Sequence, residues 1–282
     1  MEIKTLTLEN DVTLAYREYG TGDKYLLSTQ NFFFEDCHMA LMGQPPYDYH
    51  VFLIYMRGYG QSTHIFDDTP KDYTALWGED VLAFARAKGV DSFYYTGISH
   101  GNWAGWYIAF HHSEYLRGFA CCDGVVQIMT GLPHHGLPVF DPDQLVGNRE
   151  ALDKVAWIEN WPTENPQRLA RREANHREHL EIMMNRKREE FLVHNTGMTA
   201  CEAATQEELD EKLSALRFPL LLMGGSKDPL SRIETMAHIC KLVPGSRMLA
   251  YQELGHGGLD ECPEIAARDI DRFFTDMEGY IV

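Results

Sequence analysis

The residue with the clearest chemical capacity is a serine flanked two positions away by glycine on each side, Gly97-Ile98-Ser99-His100-Gly101. The run Asp91–Ile98 (DSFYYTGI) before it reads as a strand. A helix-like stretch from about Gly101 to Ser113 follows with no loop between them. A serine on so sharp a strand-to-helix turn has strained backbone angles, and its second neighbours must lack bulk for the turn to close. Gly101, Ala104 and Gly105 leave one side of the following helix small enough to pack closely on a sheet. The same turn aims the partial positive charge of the helix N-terminus at the serine.

A serine hydroxyl attacks poorly at neutral pH unless a base is positioned beside it. Two later segments offer the parts. Leu220 to Met223 is a strand-like run leading into Gly224-Gly225-Ser226-Lys227-Asp228, a glycine-rich loop with a carboxylate. Tyr251-Gln252-Glu253-Leu254 leads into Gly255-His256-Gly257-Gly258, a histidine set among glycines. If the strands are parallel, both groups stand on the same sheet edge as Ser99. Ser99 is then the nucleophile, His256 the general base and Asp228 the acid that orients it. Asp123, just after the run Leu116–Cys122, is the reserve acid.

The elements that must hold these groups follow from the patterning. Residues 2–8 and 12–18 read as an antiparallel hairpin turning at Glu9-Asn10-Asp11. Lys24–Gln30 is a third strand. His50–Arg57 (HVFLIYMR) is a fourth, with the unbroken apolar run of a strand buried on both faces. Pro70 opens a helix that ends near Lys88, where Gly89 stops it. From the strand Asp91–Ile98 to the strand Leu116–Cys122 the alternation of strand and helix predicts parallel βαβ units. It then lapses from about Val125 to Ala215, where helices are expected at Pro142–Trp161, Pro166–His194 and Gln206–Leu216. It resumes with a strand at Pro219–Gly224, a helix at Leu230–Leu242, a strand at Ser246–Leu254 and a last helix at about Cys262–Met277. The division expected is a core of residues 1–124 and 216–282, with 125–215 as a helical insertion.

The chain has 282 residues, 44% of them hydrophobic, with 25 Lys+Arg against 42 Asp+Glu for a formal charge of −17. That surplus repels polyanions, so neither nucleic acid nor an anionic membrane surface is an expected partner. The N-terminal stretch alternates apolar and polar residues without the pattern of a signal peptide, and no run approaches the ~20 apolar residues of a membrane span. Six cysteines, at 37, 121, 122, 201, 240 and 262, lack CxxC spacing and fit reduced thiols in a cytoplasmic protein. Cys121 and Cys122 should face opposite sides of their strand. The doublets His111-His112 and His134-His135 share no helix face and lack accompanying ligands, so no metal and no organic cofactor is expected. A small-molecule substrate is the expected partner, and a homodimer stays open.

The order Ser, Asp, His on strand ends resembles the α/β-hydrolase fold family over nearly the whole chain. Arg57-Gly58-Tyr59-Gly60-Gln61-Ser62 resembles the family's RGxGxS loop, and Gly255-His256-Gly257 followed by Pro263-Glu264 its usual ending. The resemblance implies an α/β fold: an eight-stranded, mostly parallel, doubly wound sheet whose second strand is antiparallel, with the inserted segment as a helical cap. It also implies hydrolysis through an acyl-enzyme. Three departures stand out. Gln30-Asn31, followed by Phe32-Phe33-Phe34, replaces the His-Gly that opens the family's oxyanion loop. Met56 replaces an Asp, and Asn102 a second glycine after the serine turn. Position by position, the backbone N–H groups of Phe32 and His100 become the oxyanion donors.

The chemistry expected is cleavage of an ester, lactone or amide of a small to medium, fairly apolar substrate. Met129, Trp157, Trp161, Met183, Met184, Phe191 and Met198 in the insertion are apolar and adaptable, though most should form its own core. The basic run Arg168 to Arg188 is interleaved with Glu173, Glu178 and Glu181. Arg177 and Glu181 have the spacing of a surface pair, and a solvated face is expected. The same serine triad also serves C–C bond hydrolysis, cofactor-free perhydrolase chemistry and slow-turnover ligand receptors. The serine argues against dehalogenases and epoxide hydrolases of this fold, which need an aspartate there.

Overall fold

The computed structural model describes residues 2–66, 73–128, 141–156, 162–194 and 202–279. One eight-stranded sheet runs in the order β1-β2-β4-β3-β5-β6-β7-β8. The strands are β1 (Lys4–Thr7), β2 (Thr13–Tyr19), β3 (Lys24–Gln30), β4 (Tyr49–Tyr55), β5 (Phe93–Ile98), β6 (Leu116–Cys122), β7 (Leu220–Gly225) and β8 (Arg247–Tyr251). β2 pairs antiparallel with β1 and with β4; every other pairing is parallel. From β3 onward, therefore, each strand delivers its C-terminal end to one common edge.

Helices cover both faces. On β4 the alternate residues Phe52 and Ile54 enter one buried cluster, while Val51, Leu53 and Tyr55 enter another. The first cluster takes in Trp77 and Val81 of α2 (Thr74–Ala87), Trp106 of α3 (Asn102–His111), Leu213 of α8 (Gln206–Ala215) and Met236 of α9 (Ile233–Leu242). The second takes in Met42 of α1 (His38–Met42) and Ile270, Phe273 and Phe274 of α10 (Pro263–Met277). Cys121 and Cys122 fall on opposite sides of this division, as period-2 alternation requires.

Between β6 and β7 the described residues hold α4 (Pro142–Leu145), α5 (Arg149–Ala156), α6 (Pro166–Met184), α7 (Arg188–His194) and α8. Leu145, Leu152, Leu180, Met183 and Phe191 form a separate small core, with Met184 against it. Met129, Trp157, Trp161 and Met198 lie outside the described residues, as do Pro70 and the His134-His135 pair. Two long helices of the sequence reading are each broken. Gly147, at φ 71°, stands between α4 and α5, and Asn185 to Lys187 separates α6 from α7. At Asn185 the side chain turns back to the Glu181 carbonyl at 2.8 Å, competing with helix continuation. α9 starts at Ile233 rather than Leu230, because the Asp228 carboxylate takes up the backbone N–H groups of Leu230 and Ser231.

Candidate active site

β5 carries the serine. All six of its residues are buried, including Gly97 and Ile98, which locks the strand into the sheet. Ser99 to Gly101 then turn as 3-10 helix before α3 begins at Asn102, so the helix expected from Gly101 starts a residue later. Ser99 sits at φ 47°, the left-handed region that side chains other than glycine rarely occupy. A Cβ on Gly101 would lie 2.5 Å from Gln30 Cδ and 2.6 Å from the Thr29 carbonyl oxygen, which is why the position must be glycine.

Side chains absent from the motif hold the turn in place. Gln30 donates from Nε2 to the Ile98 carbonyl at 3.0 Å. Tyr95 donates from its hydroxyl to the Gly101 carbonyl at 2.7 Å. Asn102, wholly buried, donates from Nδ2 to the Cys122 carbonyl at 2.7 Å and to the Ser99 carbonyl at 3.3 Å. Two of the departures from the family pattern are thus ties between the serine turn and strands β3, β5 and β6. The third, Met56, lies buried in the core, while Arg57 beside it makes a two-point ion pair with Asp80.

The ends of β7 and β8 bring the remaining groups together. Ser226 N donates to the Tyr251 carbonyl at 2.8 Å and Lys227 N to the Leu254 carbonyl at 3.0 Å, sewing the two loops to each other. Asp228 Oδ1 accepts from Leu230 N at 2.7 Å and Ser231 N at 3.0 Å, which fixes the carboxylate plane. Its Oδ2 stands 2.9 Å from His256 Nδ1, and His256 Nε2 stands 2.9 Å from Ser99 Oγ. The Asp228 side chain is fully buried and that of His256 is 16% exposed, so the line of hydrogen bonds runs from the interior toward the surface.

Burial presses the His256 pKa down. The hydrogen bond that His256 donates to Asp228, and the charge of that carboxylate, outweigh it, leaving the imidazole above its usual 6.5. Asp123, at φ 48° just past β6, is 1% exposed. Burial lifts its carboxyl to about 7; the nearby His256 opposes the rise and Asp228 adds to it. Asp260 is likewise lifted to about 7 by burial and by Asp123. The structure places Asp228, not Asp123, on the histidine Nδ1. Asp260 is the carboxyl near His256 that the sequence did not point to, since it looks like any loop aspartate.

The two residues expected as oxyanion donors lie in different segments, His100 next to Ser99 in the chain and Phe32 just past β3. Phe32 follows β3, which runs parallel beside β5, and its ring stacks on His179 of α6 at 4.4 Å and 20°. The His100 ring is buried against Trp77 and Trp103 at 4.9 and 4.4 Å, and burial drops its pKa to about 3. The His100 imidazole is therefore a neutral packing group. Among the described residues no cluster of three or more His, Cys, Asp or Glu is arranged to hold a metal ion. No described helix is long and apolar enough to cross a membrane.

The basic run in α6 departs from the expected solvated face. Arg168 and Arg172 are paired with the buried Glu261. Arg177 pairs with Glu173 at 4.0 Å, and Glu181 with Arg149 at 2.8 Å, in place of the pairing of Arg177 with Glu181.

Solved structures share the whole architecture. The enol-lactonase from Burkholderia xenovorans LB400 superposes with a TM-score of 0.71 at 16% identity, covering 96% of this chain and 100% of that one. An esterase from Rhodococcus sp. ECU1013 gives 0.72 at 20% identity, over 98% and 99%. A thermophilic esterase from Thermogutta terrifontis gives 0.65 at 19%, over 98% and 99%. No curated protein matches the chain significantly in sequence. Residues 38–263 match the family model described as alpha/beta hydrolase fold. With that match spanning most of the chain, and the sheet order and flanking helices in agreement, the protein belongs to the α/β-hydrolase fold family.

Proposed function

We propose that the protein is a serine hydrolase that cleaves an ester, lactone or amide of a small to medium, fairly apolar substrate through an acyl-enzyme on Ser99. The observation that carries this is the unbroken path Ser99 Oγ, His256 Nε2, His256 Nδ1, Asp228 Oδ2, with 2.9 Å at both hydrogen bonds.

His256 takes the Ser99 proton as Oγ bonds to the substrate carbonyl carbon, and Asp228 holds the imidazole tautomer and stabilises its charged form. The oxyanion that forms is received by the backbone N–H groups of Phe32 and His100, a contribution of about 3–4 kcal/mol per donor in comparable sites. As the bond to the leaving group breaks, the leaving group takes the proton from His256. Water then repeats the sequence on the acyl-enzyme, releasing acid and free Ser99. The helices of 125–215 act as the cap over this edge. Within it Met183 and Phe191 are occupied in its own core, while the half-buried Phe32 ring offers apolar surface beside the expected oxyanion donor. The lactonase and esterases of the same fold act on bonds of the class proposed here, which supports the reading without deciding among ester, lactone and amide.

The test is reaction with a fluorophosphonate probe. Wild type is expected to label and Ser99→Ala to stay unlabelled; equal labelling of both would remove Ser99 from the role. A panel of esters, lactones and amides of increasing acyl length then locates the substrate class.

A further inference from the structure

Resting on that reading, we propose that α6 of the cap is a brace for the catalytic loops, with Arg172 and Glu261 as its central positioning residues. Glu261 closes the 3-10 turn Gly258–Glu261, five residues after His256. Hydrogen bonds from Gly258 N to the Gly255 carbonyl at 3.0 Å and from Asp260 N to the Gly257 carbonyl at 3.1 Å make that turn a short rigid lever on the histidine.

The Glu261 side chain is 2% exposed and both its oxygens are held from α6. Arg172 donates from Nε to Oε1 at 2.8 Å and from Nη2 to Oε2 at 3.1 Å, and Arg168 donates from Nε to Oε2 at 3.0 Å. The same helix reaches backbone on both sides of the histidine. Arg168 Nη2 donates to the Glu253 carbonyl at 3.2 Å, and Asn175 Nδ2 to the Asp260 carbonyl at 2.9 Å.

One turn further along, α6 meets the loop that carries the oxyanion donor. The Glu178 carboxylate accepts from Glu35 N at 2.9 Å, and the His179 ring stacks on Phe32. Residues 168, 172, 175 and 179 follow the i, i+4, i+7, i+11 spacing of one helix face. A single stripe therefore touches both the base loop and the oxyanion loop. This is the loop that lacks the family's His-Gly, so α6 supplies from outside the constraint that the local sequence does not.

Stability alone does not explain so buried an ion pair. Replacing such pairs by well-packed apolar residues is often neutral or stabilising. What a two-point Arg–carboxylate contact adds is geometric definition, and reacting groups displaced by about 1 Å can lose about 100-fold in rate.

The experiment compares Glu261→Gln and Arg172→Lys with wild type on a p-nitrophenyl ester. Folding is verified by thermal melts, and Arg172→Lys serves as the milder variant should Glu261→Gln fail to fold. The brace predicts kcat lower by about 100-fold for Glu261→Gln with KM within about threefold, and a smaller loss for Arg172→Lys. Glu264→Gln, whose exposed carboxylate pairs with Arg171 at 3.0 Å, should behave as wild type. An activity-independent readout is the proton NMR resonance of the His256 Nδ1–H facing Asp228, which should shift or broaden in Glu261→Gln. Folded variants with wild-type kcat and an unmoved resonance would overturn the brace, as would a rise in KM alone. A wild type that turns over no ester, lactone or amide would instead sink the hydrolase reading, while the resonance would still decide whether α6 orders the histidine.

Discussion

Asp228→Asn isolates the orienting acid with little change in shape. Asp228 Oδ1 accepts from Leu230 N and Ser231 N, and an asparagine carbonyl can keep both bonds, so the loop should hold. The amide nitrogen then occupies the place of Oδ2, 2.9 Å from His256 Nδ1. An N–H donor there faces Nδ1 as an acceptor, so the proton moves to Nε2 and the imidazole loses its ability to take the Ser99 proton. The wrong tautomer costs about 10⁴-fold in kcat in comparable triads, about 5 kcal/mol of transition-state stabilisation. The assay is steady-state turnover of a p-nitrophenyl ester beside Asp123→Asn, with thermal melts to show that both variants are folded. Asp228→Asn should lose about four decades in kcat while Asp123→Asn stays within tenfold of wild type. A folded Asp228→Asn within tenfold of wild type, or an Asp123→Asn that collapses, would refute the reasoning and pass the role to Asp123.

Further outcomes follow from the same geometry. Since neutral imidazole is the proton acceptor and the His256 pKa is held above its usual 6.5, the acid limb of kcat/KM should lie above pH 6.5; a limb at or below that value would contradict the Asp228 contact. Asp123 is fully buried with its carboxyl at about 7. Its protonated form favours the fold, a contribution complete below pH 4 or so and lost as pH rises through about 7. The gap corresponds to on the order of 4 kcal/mol at most. The melting temperature of Asp123→Asn relative to wild type should therefore climb between pH 5 and pH 8, and a constant difference would show the carboxyl ionised throughout. Asn102→Ala leaves the buried Cys122 carbonyl without its 2.7 Å donor, and should cost about 1–3 kcal/mol by urea unfolding along with some turnover.

Legibility in the sequence followed the range of the interactions. β3 and β6 occupy the residues expected of them, because each is a bounded strand-forming run whose patterning is a property of neighbours. β8 starts one residue later and ends three residues earlier than the expected Ser246–Leu254, since Gln252 to Leu254 leave the sheet before His256. The groups now placed at one sheet edge were recognisable because each ends a strand and is set among glycines. Asp228 was the acid expected and Asp123 the reserve, since both follow a strand, and the 2.9 Å contact of His256 Nδ1 is with Asp228. Least visible were contacts between distant segments. The Arg172 and Glu261 pair spans 89 residues, and neither position carries a local signal. The arginine-rich face of α6 looks, in one dimension, like any solvated helix surface.

The claim at the centre is that Ser99 becomes acylated, and intact-protein mass spectrometry of a rapidly quenched turnover reads it directly. The account predicts a transient mass increase equal to the acyl group, mapped to the peptide containing Ser99 and absent from Ser99→Ala. Turnover with no adduct on wild type under burst conditions, or an adduct on another residue that persists in Ser99→Ala, would contradict it.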